Sequence, residues 1–120
     1  MTSSTRAIQT LVVERPWGKF HQFTKNENTT VKIHEVKSHS SLSLQYHNHR
    51  SEFWYVLSGH PVLTIGETKI VSKPGDEFLV HALEKHRIQT EDEAAVILEI
   101  CYGDFDEEDI IRIEDTYGRT

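Results

Sequence analysis

The residues best suited to chemistry in this chain are its histidines. Eight of the 120 residues are histidine, the side chain that is both the commonest metal ligand and a proton carrier near neutral pH, so their positions matter more than their number. His47 and His49 form a His-x-His pair in the run SLSLQYHNH. On a strand, side chains two residues apart leave the same face about 7 Å from each other, close enough for both imidazoles to reach one ion. Glu52 follows three residues later, after a bend expected at Arg50 and Ser51, and His86 opens the run HRIQT just beyond a turn region. Three imidazoles and one carboxylate make a borderline donor set that accepts Zn, Mn, Fe, Co or Ni. One divalent transition metal ion is the cofactor such a set would take; the alternative reading is histidines that hydrogen-bond on a wet surface.

Bringing residues 47–52 and 86 together is a task for strands. From Leu11 onward the chain is a series of strand-length runs rich in Val, Ile, Leu, Phe and Tyr, among them VKIHEV, EFWYVLSG, PVLTIG, DEFLV and AAVILEICY. Turn material such as KNENTT and SKPGDE separates them at the intervals of an all-β sandwich or barrel. Alternation places Ser43, Gln45, His47 and His49 on one face of SLSLQYHNH, and Leu42, Leu44 and Tyr46 on the other. In EFWYVL, Glu52, Trp54 and Val56 share a face, and Phe53, Tyr55 and Leu57 share the opposite one. Both faces of that run are apolar and need cover, which predicts a small barrel whose outer side packs on a second sheet or in a twofold homodimer. The tail DFDEEDIIRIEDTYGR, with acidic residues in its first turn, predicts a short helical segment docked through Ile110, Ile111 and Ile113. Residues 1–10 are polar and aperiodic and read as a flexible arm, leaving 11–120 as a single domain.

Composition removes several classes of function. Lys and Arg number 13 against 19 Asp and Glu, a net charge of −6, so no general basic field exists to hold a phosphate backbone or an anionic bilayer. Neither a nucleic-acid nor a membrane partner is expected. A single cysteine, Cys101, forms no internal disulfide, and MTSSTRAIQT lacks the apolar stretch of a secretory signal, so a cytoplasmic location is expected.

The spacing of the chemical residues carries a family resemblance. Six residues separate Glu52 from Gly59, fifteen separate Gly59 from Gly75, and ten separate Gly75 from His86. This resembles the cupin superfamily, whose first motif joins His-x-His to a Glu followed by Gly and whose second runs from Gly to His. The resemblance implies an all-β, double-stranded β-helix barrel and carries the metal ligands over to His47, His49, Glu52 and His86. The segments RPWGKF, VKIHEV, LSLQYHNHRSEFWYVLSG, HR at 86–87, LEI at 98–100 and DIIRIEDTYGR also look like the type II phosphomannose isomerase domain, and they extend over nearly the whole chain. Departures from that pattern are Phe53 in place of a His, the loss of a Pro and a Gly before His86, Cys101 in place of a Gln, and a one-residue shortening near Asp104.

That resemblance implies interconversion of mannose 6-phosphate and fructose 6-phosphate through an enediol. Such chemistry needs a Lewis acid, a base and cationic donors for the phosphate. Arg50, between His49 and Glu52, offers a guanidinium fork suited to an oxyanion. Lys32, in an otherwise apolar strand, and Arg15 are candidate substrate contacts. Arg87 and Arg119 also stand at motif positions, and Gln45 on the histidine face suits a sugar hydroxyl. Glu99 lies among aliphatic neighbours in AAVILEICY, where burial without partners raises a carboxylate's pKa and suits it to proton transfer. A non-catalytic sugar-binding cupin and a different metallocupin reaction, an epimerisation or an oxygenation, remain alternatives, because fold does not dictate function.

Overall fold

The computed structural model describes residues 10–119. Eleven strands account for its regular structure: β1 (Leu11–Arg15), β2 (Gly18–Gln22), β3 (Thr29–Val36), β4 (Leu44–Tyr46), β5 (Glu52–Ser58), β6 (Val62–Ile65), β7 (Thr68–Val71), β8 (Glu77–Val80), β9 (His86–Gln89), β10 (Ala95–Tyr102) and β11 (Ile111–Glu114). β1 and β2 form a hairpin of their own, while the rest divide into a four-stranded sheet, β3-β10-β5-β8, and a five-stranded sheet, β11-β4-β9-β6-β7. Every pairing is antiparallel. The expected N-terminal arm lies outside the described residues except for Thr10, whose hydroxyl donates to Glu77 Oε1 at 3.1 Å.

The two larger sheets close on a core of Val36, Trp54, Val56, Leu63, Val80, Ile88, Ala95 and Ile97, with Leu42, Ile65 and Phe78 packed against it. Strand alternation explains which residues point there. On β5 the inward series is Glu52, Trp54, Val56, all buried; on β10 it is Ala95, Ile97, Glu99, Cys101. Reading those inward faces lengthwise, one end of the barrel is aliphatic and the other is polar, and Trp54 stands between the two. The outer side of β5 is covered in part by the chain itself, since Phe53, Ile100 and Tyr102 pack with Phe23, Tyr55 and Leu98.

The tail corrects the sequence reading. No helix occurs among the described residues, and the segment expected to be helical contains β11 instead, paired with β4 through Ile111↔Tyr46 and Arg112↔Gln45. The alternation Ile111, Arg112, Ile113 has the period of a strand, and the exposed backbone of β4 offers a pairing partner that a lone helical turn lacks. The acidic residues 106–109 form turns rather than a helix start.

Two turns depend on glycine. Gly75 takes φ +94° in the turn Lys73–Asp76, closed by Asp76 N–H donating to the Lys73 carbonyl at 3.1 Å, and an added Cβ would meet nothing within 4 Å. Gly59, at φ +84° after β5, is different: a Cβ there would fall 2.4 Å from the Ala94 carbonyl oxygen and 2.9 Å from Ala95 Cα. Gly75→Ala should therefore lose only the left-handed backbone penalty, roughly 1–2 kcal/mol. Gly59→Ala should lose more, about 3 kcal/mol, because backbone must also move apart. Urea unfolding of the two variants beside the parent measures the difference, and equal midpoints would contradict the close approach at Gly59.

Candidate metal centre

At the polar end of the barrel His47, Glu52 and His86 converge, all buried, with one ligand atom from each lying within 4.8 Å of the others. His47 follows β4, Glu52 opens β5 and His86 opens β9. Each imidazole is oriented through its far nitrogen. His47 Nδ1 donates to the Asp109 carbonyl at 2.5 Å, and His86 Nδ1 donates to the Glu84 carbonyl at 2.9 Å. A carbonyl only accepts, so in the neutral rings both Nε2 atoms carry lone pairs toward the cluster. This is how metal-ligating histidines are held. His47 Nε2 lies 3.1 Å from Glu52 Oε2, and His86 Nε2 lies 3.8 Å from Glu52 Oε1.

Whether an ion suits these residues is answered by His86 Nε2, a buried nitrogen with no hydrogen-bond partner among the described residues. An orphaned buried acceptor is costly and calls for a partner. A transition metal ion supplies one, since donors at about 2.0–2.2 Å from a common ion stand roughly 3–4 Å apart, as each imidazole does from Glu52. The protonation states agree with ligation. Burial acts to raise the Glu52 pKa, but the neighbouring His47, His86 and Arg50 outweigh it and hold the carboxyl well below the usual range. Burial pushes the His86 imidazole down, against the opposing pull of Glu52. The centre thus presents an ionised carboxylate and a neutral imidazole, the forms that bind metal.

His49 is not part of this cluster. Strand β4 ends at Tyr46, and residues 48–49 form a bend that leaves His49 exposed. The cause lies sixty residues away: the Asp109 carboxylate accepts the backbone N–H groups of Asn48 and His49, each at 2.9 Å. Alternation therefore stops before it reaches His49. Gln45 is better placed than its sequence reading implied, because it stands directly opposite His86 across the β4–β9 pair. Facing residues share a side of the sheet, so its amide, whose oxygen accepts from Ser43 Oγ at 2.6 Å, belongs to the same side as the His86 ring.

A cavity of about 160 Å³ opens beside the cluster, lined by Gln45, Trp54 and His86 together with five cationic side chains, Lys32, Arg50, Arg87, Arg112 and Arg119, against two carboxylates, Glu99 and Glu107. In a chain of net charge −6 this is a local reversal of sign. Arg50 is buried, donating from Nε to Glu52 Oε2 at 3.0 Å and from Nη2 to His47 Nε2 at 3.1 Å. Its guanidinium also donates from Nη1 to the Asp106 carbonyl at 3.4 Å and lies over the ring of Phe105, 4.5 Å away, which also carries Lys32 Nζ at 4.4 Å. Arg15 is not in the cavity. It lies on the β1–β2 hairpin, bonded to the Glu14 carbonyl and placed over Phe20.

Glu99 is buried at the cavity wall. Its Oε1 is 3.0 Å from His34 Nε2, and its Oε2 accepts from Cys101 Sγ at 3.1 Å. His34 escaped the sequence reading, although it shares a strand face with Lys32, a residue that reading did single out. Burial and the neighbouring carboxylates Glu99 and Glu52 push the Cys101 thiol pKa far up, so it remains a neutral donor.

Two packed antiparallel sheets with a His/Glu cluster at one end of the barrel define a cupin. A cupin protein from Bacteroides fragilis superposes with a TM-score of 0.57, covering 65% of this chain and 70% of its own at 21% identity. Residues 3–115 match the family model described as mannose-6-phosphate isomerase C-terminal, and the chain belongs to that family. Among relatives, the xanthan biosynthesis protein XanB of Xanthomonas campestris pv. campestris is 36% identical over 110 residues, which is 90% of this chain and 24% of that protein. The mannose-1-phosphate guanylyltransferase ManC of Salmonella typhimurium is 35% identical over 113 residues, 89% of this chain and 23% of that protein. The chain thus spans about a quarter of the length of these curated relatives.

The placement of the histidines yields a direct test. His86→Ala and His47→Ala should each weaken Co(II) or Zn(II) binding by about 100-fold or more, while His49→Ala should stay within a few-fold of the parent. Titration calorimetry of the purified variants checks this. A His49 variant as impaired as the His86 variant would contradict the bend at residues 48–49.

Proposed function

We propose that this chain is a metal-dependent aldose–ketose isomerase that interconverts mannose 6-phosphate and fructose 6-phosphate. The observation that carries the proposal is Glu99: a buried carboxylate outside the His47–Glu52–His86 triad, facing the same cationic cavity. Two kinds of carboxylate in one cavity, one surrounded by ligand atoms and one held by hydrogen-bond donors, fit a division between ion holding and proton transfer. The family model and the mannose-1-phosphate guanylyltransferase name of one relative support a phosphorylated mannose as the substrate.

His47, Glu52 and His86 would hold the ion, with the Gln45 amide oxygen on the same face as a fourth donor. When bound, a divalent ion polarises a carbonyl and offsets the negative charge of an enediolate. The chain's own residues do the rest. Glu99 removes the proton from C2 of the open-chain aldose, and the electron pair of that bond enters a C1–C2 double bond as the carbonyl electrons move to the C1 oxygen. The same carboxylic acid then delivers a proton to C1 while the C2 hydroxyl proton passes to the C1 oxygen, which leaves the ketose. Lys32, Arg112 and Arg119 at the cavity wall suit a phosphate dianion. Arg50 holds the Glu52 carboxylate and the His47 ring in place, and the Trp54 indole seals the floor against the aliphatic core.

The test follows both hexose phosphates by NMR with the protein supplied in turn with Zn, Mn, Fe(II), Co and Ni. Interconversion with at least one of them is expected, and Glu99→Gln should lower kcat about 100-fold or more with metal affinity retained. Absence of interconversion with every ion, by protein shown to bind them, would overturn the proposal.

A further inference from the structure

We infer that His34 is the route by which the proton held on Glu99 exchanges with solvent. The inference rests on the isomerase reading above and extends it. Glu99 is 5% exposed, and once substrate fills the cavity it faces, a proton on it has no direct path to water. His34 Nε2 is 3.0 Å from Glu99 Oε1, and His34 lines two spaces at once: the inner cavity and an open groove of about 480 Å³ that runs along β3. Its side chain is 25% exposed. Cys101, the other partner of Glu99, is buried and offers no such outlet. Of the two groups bonded to Glu99, only His34 reaches solvent.

The proton balance is simple. The carboxylic acid proton passes from Glu99 Oε1 to the lone pair on His34 Nε2, giving carboxylate and imidazolium, and the imidazolium releases a proton to solvent in the groove. The reverse sequence returns a solvent-derived proton to Glu99, which then delivers it to the sugar carbon. Without this path, the proton taken from C2 stays on Glu99 until it is placed on C1. His34 acts through Glu99 and is a positioning and relay residue.

The discriminating experiment runs the reaction from mannose 6-phosphate in D₂O and measures by NMR the deuterium at C1 of newly formed fructose 6-phosphate. The ratio of exchanged to directly transferred proton is internal to each turnover, so it does not depend on how much active protein survives a substitution. Wild type should incorporate deuterium in most turnovers. His34→Gln keeps an N–H donor for Glu99 but cannot relay, and should lower the ratio about tenfold; His34→Asn, run in parallel, guards against poor folding of the first variant. A fall of less than about threefold in active variants would overturn the inference, as would absence of exchange in wild type. Loss of all turnover in both variants would assign His34 to holding Glu99 and overturn the relay. Isomerisation with an unchanged ratio leaves the isomerase reading standing, whereas failure of wild type to isomerise overturns both.

Discussion

The structure turns on keeping an ionised carboxylate buried at the boundary between the aliphatic and polar ends of the barrel. Glu52 is 1% exposed, and an unpaired charge there would cost several kcal/mol. It is satisfied from two directions, the Trp54 indole N–H at 3.0 Å on Oε1 and the Arg50 guanidinium at 3.0 Å on Oε2, and the His47 ring lies 3.1 Å away. Trp54 matters most to the architecture. Its ring belongs to the aliphatic core while its N–H belongs to the cluster, so one side chain ends the apolar half and begins the polar half. Its ring also meets His86 edge-on at 5.5 Å between centroids, which ties the second sheet to the same boundary.

That boundary explains why the two carboxylates differ in their surroundings although their backbones are close. Cys101 pairs with Glu52 across β10 and β5, and Glu99 pairs with Trp54, so both carboxylates enter the same interior one register step apart. Glu52 meets a permanent cation and two imidazoles. Glu99 meets a histidine and a thiol that stays neutral. The register of a single strand pair thus gives two buried carboxylates different partners.

Much of this was legible in the chain because alternation is local. The inward series Glu52, Trp54, Val56 follows from parity alone, as does the placement of Glu99 within a buried strand. The failures share a different cause. His49 left the cluster because a carboxylate at residue 109 captures two amides at 48 and 49, and no local pattern reports a contact over that distance. The tail read as a helix start because acidic residues before isoleucines imitate one, while the β4 edge that recruits β11 is known only once the sheet exists. His34 was missed because its importance lies in which strand neighbours it: β3 lies beside β10, although His34 and Glu99 are 65 positions apart in the chain.

The β1–β2 hairpin pairs with neither large sheet. It is moored near its base, where the His21 ring stacks on Phe23 at 4.4 Å and meets Tyr55 edge-on at 5.5 Å, while Trp17 at its tip is 72% exposed. A two-stranded ribbon has little stability of its own, whereas β10, bonded on both edges, belongs to the last structure to open. Amide hydrogens along the hairpin are consequently released by a local opening of low free energy, and those around Glu99 only when the barrel as a whole comes apart. The molecule joins a loosely held ribbon to a closed barrel that the ribbon's excursions leave intact.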